Sequence, residues 1–225
     1  MVRLFDRNML IMMIAIMAGV VIITFFIADI VNQSEIDTIT NDFNVEIMDV
    51  HSRNENFTNN FLQGSILMDS SREIREVGNY HFDFALFWYN TALSNFSDGT
   101  ISLCISNCSD AMDNYLSSYE SFGKSRPYFQ EAAFFTDNEN YLEVLGYYVS
   151  FAEAGETITL LRYNASRFLR HAAENLSAGN MTLVELLMEN FSFVQGQYRE
   201  ALKDYEEKKA QIDGYLFFNE IREEE

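Results

Sequence analysis

Apolar residues run unbroken from Met9 to Ala28, and only beyond that stretch do they begin to alternate with polar ones at helical spacing. About 20 apolar residues are what a helix needs to cross the hydrocarbon core of a bilayer. The run therefore predicts a membrane anchor over residues 9–31, after a short segment 1–8 and before a domain covering 32–225. Arg3 and Arg7 precede the run, and Asp29, Glu35 and Asp37 follow it. By the positive-inside rule the N-terminus lies in the cytoplasm and the C-terminal domain outside the cell. A cleaved signal peptide would have an apolar region of about 7–15 residues closed by a small-x-small site. Phe26-Ile27-Ala28 is too bulky for one, so an uncleaved signal-anchor is expected.

Ile36, Phe43, Val50 and Phe57 recur every seven residues, with Ile47, Phe61 and Met68 on the adjoining column. This apolar stripe predicts a helix over 34–68 that could continue the anchor outward. Ser70 to Glu73 reads as a capping box opening a second helix. Its apolar positions include Ile74, Val77, Phe84, Ala85 and Trp88, widened by Phe82, Leu86, Tyr89 and Leu93, and it should end near Ser97-Asp98-Gly99. A loop is expected around Cys104 and Cys108. The next helix should start near Ser109 and break or kink between Gly123 and Pro127. Thr136 to Glu139 is a further capping box, and the helix it opens should end at Ala178-Gly179. Thr182 to Glu185 opens the last helix. There Val184, Leu187, Phe191, Val194, Tyr198, Ala201 and Tyr205 form the cleanest heptad in the chain. No strand-like alternation with hairpin turns stands out. The expected fold is all-α: an antiparallel bundle of four or five long helices, outside the membrane and behind one N-terminal span.

Composition sharpens this picture. One proline in 225 residues leaves little for loops, and 15% aromatic content argues for a packed core despite a net charge of −19. That charge excludes a nucleic-acid binder, which needs clustered Lys and Arg. It also disfavours adhesion to anionic lipid. Asn-x-Ser/Thr sequons occur at Asn32, Asn56, Asn95, Asn107, Asn164, Asn175, Asn180 and Asn190. Chance would give roughly two or three, and all lie on the side expected to be outside. Glycosylation is expected at Asn56, Asn95, Asn164, Asn175, Asn180 and Asn190. Asn32 is too near the membrane, and Asn107 sits between the two cysteines. For Cys104 and Cys108 the expectation outside a cell is a small structural disulfide. The sequons and the acid-rich, Lys-poor composition fit an archaeal cell surface and a salty habitat.

Candidate chemistry is sparse. Ser121-Phe122-Gly123-Lys124 has a Ser-x-x-Lys spacing, but the partner motifs of the penicillin-binding enzymes are missing. Gly123-Lys124-Ser125 lacks the earlier glycine of a phosphate loop, Ser118 standing in its place. The residues three before His51, His81 and His171 are Met48, Gly78 and Phe168, so no Glu-x-x-His di-iron motif exists. No cofactor, metal or catalytic residue is expected. Arg162, Arg167 and Arg170 form a local basic cluster, a candidate for holding a small anionic ligand.

The layout resembles the helical-bundle sensor ectodomains of membrane receptors, which implies a solute ligand with output through a partner's membrane helix. Gly196 to Tyr205, with small Ala201 and Tyr205, resembles the second helix of a tetratricopeptide repeat and reads as helix packing. The expected function is that of a non-enzymatic surface interaction module or accessory subunit of a membrane complex. It would work through a protein partner or self-association, with solute sensing as the alternative.

Overall fold

The computed structural model describes residues 2–215, with side chains from residue 38 onward. Four helices follow one another: α1 Val2–Ser94, α2 Asp98–Ala133, α3 Glu139–Ser177 and α4 Met181–Asp213. The described residues contain no strand. The anchor segment, its flanking charges and the sequon at Asn32 have side chains outside the described residues, as does the tail from residue 216. No helix among the described residues is long and apolar enough to cross a membrane.

The chain divides into two compact units, Met1–Ser52 and Arg53–Glu225. In the first, α1 leaves Phe43, Ile47 and Val50 more than half exposed, so the stripe expected to be a packing face has no cover within the unit. The second unit is a four-helix bundle. Gly64 lies against Phe129 and Gly78 against Tyr115, so α1 and α2 run in opposite directions. Phe129 meets Tyr148, and Phe122 meets Phe151, which sets α3 antiparallel to α2. Tyr205 stacks on Phe151, and Arg162 covers Tyr198, which does the same for α4 on α3. Contacts of Arg75 with Tyr205 and of Phe82 with Phe191 close α1 against α4. Connections this short, Asn95–Ser97, Phe134–Asn138 and Ala178–Asn180, can only join antiparallel neighbours.

Each later helix starts on a side-chain cap. Ser97 accepts from Thr100 N, Asn138 from Asn140 N and Asn180 from Leu183 N, satisfying amides that a helix start leaves without partners. The capping boxes expected at Thr136 and Thr182 mark the right places, but an asparagine two residues on or two residues before supplies the cap. Gly179, at φ +74°, lets the chain leave α3 as expected.

Three expected breaks are absent. Ser70–Glu73 lies inside α1, where Ser71 Oγ bonds back to Leu67 O instead of capping. The cysteine loop is helix, because α2 starts at Asp98, capped by Ser97, rather than near Ser109. Pro127 sits inside α2, which continues to Ala133. Burial explains the continuity: Ile101, Cys104, Cys108, Ala111, Tyr115, Ser118, Phe122, Ser125, Phe129 and Ala132 keep one three-and-four rhythm across every supposed break.

Candidate functional site

The same rhythm on α1 places Phe61, Met68, Arg75, Phe82 and Tyr89 on one core column, at steps of seven. On α3 the matching column is Tyr148, Gly155, Arg162, Leu169 and Leu176. Each column carries an arginine where apolar residues would pack best. The two arginines fall between two apolar clusters. One is built on Phe82, Tyr89, Cys108, Leu169 and Phe191, the other on Phe122, Phe129, Leu145, Phe151 and Tyr205. A polar layer thus crosses the bundle at mid-height.

Within it, Arg75 is 8% exposed, and its guanidinium covers the Tyr205 ring at 4.7 Å. Its Nη2 donates to Glu76 Oε1 at 2.9 Å. Arg162 lies between Phe82 at 4.5 Å and Tyr198 at 3.9 Å, and its Nη1 reaches Gln195 Oε1 only at 3.4 Å. Tyr115 donates to Asn79 Oδ1 at 2.8 Å, and Ser118 donates to Ser71 O across the α1–α2 seam at 2.8 Å. Burial pushes the Tyr115 and Tyr205 phenols up, keeping both protonated. Burial alone would also raise the Glu76 carboxyl. Hydrogen bonds from Arg75 and Asn79, with the Arg75 charge, outweigh it and hold Glu76 below the usual carboxylate range.

Several buried polar atoms of this layer have no partner: Arg75 Nε and Nη1, Arg162 Nε, Gln195 Nε2 and Tyr205 Oη. Beside Arg75 a cleft of about 410 Å³ opens between α1 and α4, with Arg72, Glu73, Glu206 and Lys209 around it. The sequence signal of Arg75 is that of a lone charge at the third step of an otherwise apolar seven-residue series.

The three arginines of the sequence-predicted anion cluster have different surroundings. Arg162 belongs to the polar layer. Arg167 lies over its neighbour Phe168, and Arg170 Nε pairs with Glu174 on its own helix at 3.0 Å. Cys104 and Cys108 are free, fully buried thiols one turn apart on α2, not the disulfide-closed loop expected. The hydrogen bond to Cys104, with burial, pushes the Cys108 thiol up. Among the expected glycosylation sites, Asn56, Asn95, Asn180 and Asn190 are exposed, and Asn164 and Asn175 half-buried. Asn180 also caps α4 through its side chain.

Ser121 Oγ donates to Ser117 O, and Lys124 pairs with Glu120, so the Ser-x-x-Lys residues do not meet. His171 pairs with Glu174, and His81 lies near Asn107 and Asp110. The described residues hold no group of three metal-ligating side chains.

One face of α1 remains uncovered. Val77 is 48% exposed, Tyr80 60%, Phe84 39% and Phe87 57%. They form a seam at three- and four-residue steps on the side opposite buried Phe82, Ala85 and Tyr89. Val77 and Phe84 share the apolar side that the sequence predicts for this helix with Ala85, which is buried. α1 is apolar around most of its girth here, and the bundle covers only one side. No family model, curated protein or solved structure matches the chain.

Proposed function

We propose that this chain is a membrane-anchored helical module, exposed outside the cell, that works by binding a protein partner and not by catalysis. The observation that carries the reading is the α1 seam of Val77, Tyr80, Phe84 and Phe87. Contiguous exposed aromatic surface marks an interaction site more than scattered apolar residues do. Its spacing is that of a two-helix interface, so the occupant is an amphipathic helix of a partner subunit. Exposed Glu73, Glu76 and Asp83 border the seam, and the matching partner helix carries Lys or Arg along its flanks. The uncharged run Met9–Ala28 supports the anchor, Arg3 and Arg7 the orientation, and the sequon density the outer location.

The test is affinity capture of the full chain from its native membrane in mild detergent, beside the double variant Phe84→Ser/Phe87→Ser. A stoichiometric partner held by the wild type and lost by the variant, with an unchanged melting temperature, is the expected result. Retention of the same partner by the variant would remove the seam from the interface. A concentration-dependent dimer of the purified wild type that disappears in the variant would assign the seam to a second copy of the chain instead.

A further inference from the structure

The polar layer contains more buried donors than acceptors. Arg75 is the plainest case, since its side chain is 9% exposed and one donor meets Glu76 while Nε and Nη1 meet nothing. An arginine placed only to tie helices together would be expected to face a carboxylate on a neighbouring helix. Arg75 instead has a tyrosine ring, and its single acceptor comes from the next residue of its own helix. Leaving a buried guanidinium short of acceptors is costly; Nε and Nη1 are closed to solvent, so a ligand removes that cost by drawing the Arg75 side chain a short way toward the cleft.

The cleft of about 410 Å³ between α1 and α4 gives such a ligand a way in, with Arg75 in its wall. This volume lies in the range of small-molecule sites. The other charges of the cleft set the ligand's character. Arg72 is paired to Asp69 at 3.2 Å, and Lys209 to Asp213 at 2.7 Å. Glu73 and Glu206 stand exposed beside them. The cleft is therefore lined by one largely buried cation, Arg75, and by the exposed carboxylates Glu73 and Glu206, within a chain of net charge −19. A simple dianion is repelled by the carboxylates, and a simple cation by Arg75.

We propose that the α1–α4 cleft binds a small zwitterion, its carboxylate accepting from the Arg75 guanidinium and its ammonium group facing Glu73 and Glu206. Glu73 borders both this cleft and the α1 seam, whereas Arg75 and Glu206 belong to the cleft alone.

The test is isothermal titration of the purified full chain with glycine, L-alanine and glycine betaine, set against succinate and sulfate as anions and putrescine as a cation. Thermal melting runs in parallel. Saturable binding of at least one zwitterion is expected, with a raised melting temperature and no response to succinate, sulfate or putrescine. Arg75→Gln should weaken it at least tenfold, and Glu206→Gln, at an exposed position that leaves the fold intact, severalfold. Phe84→Ser/Phe87→Ser should leave it unchanged. Should Arg75→Gln fail to fold, Glu206→Gln alone decides. Equal binding of sulfate or succinate would overturn the zwitterion in favour of an anion site. Absence of binding by every probe, or undiminished binding by Glu206→Gln, would overturn the proposal and leave Arg75 as a register-setting residue.

Discussion

Glycines decide how closely these helices approach. A Cβ at Gly155 would lie 2.6 Å from the buried Phe122 ring, and one at Gly78 would lie 2.9 Å from Tyr115. Both rings are core residues with no room to withdraw. Gly146, on the same helix as Gly155, has nothing within 4 Å of the same added atom. The two positions should therefore answer the same substitution in opposite senses. Gly155→Ala should cost about 1–3 kcal/mol through overpacking. Gly146→Ala should stabilise by ~0.5–1 kcal/mol, because an open helical position gains only the lower chain entropy of alanine. Urea denaturation of the two variants would check both signs. In the sequence both are merely glycines inside a helical pattern, because the partner ring lies on another helix and leaves no local trace.

At the scale of elements, the all-helical class and the last two helices were legible, whereas α1 and α2 were each read as more than one helix. The α3 and α4 starts and the Gly179 exit were readable because each has local chemistry. Helix α1 was divided at Ser70 because Ser-x-x-Glu fits a cap equally well inside a continuous helix, where Ser71 bonds back to Leu67 O. Helix α2 was divided at Pro127, yet the apolar rhythm from Ile101 to Ala132 passes through it without changing phase. Packing along the whole helix outweighs one missing amide. Pro127→Ala restores that amide and removes the ring, and should raise stability by up to ~3 kcal/mol, measured as a higher denaturant midpoint at unchanged slope. A fall in stability would mean that the bundle is built around the proline's local geometry. The candidate site was less legible than the helices. Arg162 stood out by its basic neighbours. Arg75 stood among acids, and its burial follows from column phase alone.

At the scale of the whole chain, charge is the dominant property. A net charge of −19 is offset by few ion pairs among the described residues, many of them between neighbours on one helix, such as Lys208 with Asp204 and Lys209 with Asp213. Exposed pairs of this kind contribute little, so self-repulsion acts against the folded form. Added salt should therefore stabilise the protein. The melting temperature should climb by several degrees between ~10 mM and ~150 mM NaCl, over which the Debye length falls from about 30 to 8 Å. A flat or falling curve would show that the ion pairs outweigh the excess of carboxylates.

The seam that closes α1 against α4 has a kinetic consequence. α1 with α2, α2 with α3 and α3 with α4 are sequence neighbours joined by tight turns, and each pair can form soon after its turn closes. The contacts of Phe82 with Phe191 and Arg75 with Tyr205 join the first and last helices of the chain and must wait for everything between them to be ordered. Folding is then a zipping of hairpins that finishes at one late seam. The same seam, holding a guanidinium with unmet donors, is where the native bundle should first part. A ligand that stitches α1 to α4 would act as a brake on unfolding, lengthening the lifetime of the folded chain more than it hastens its formation.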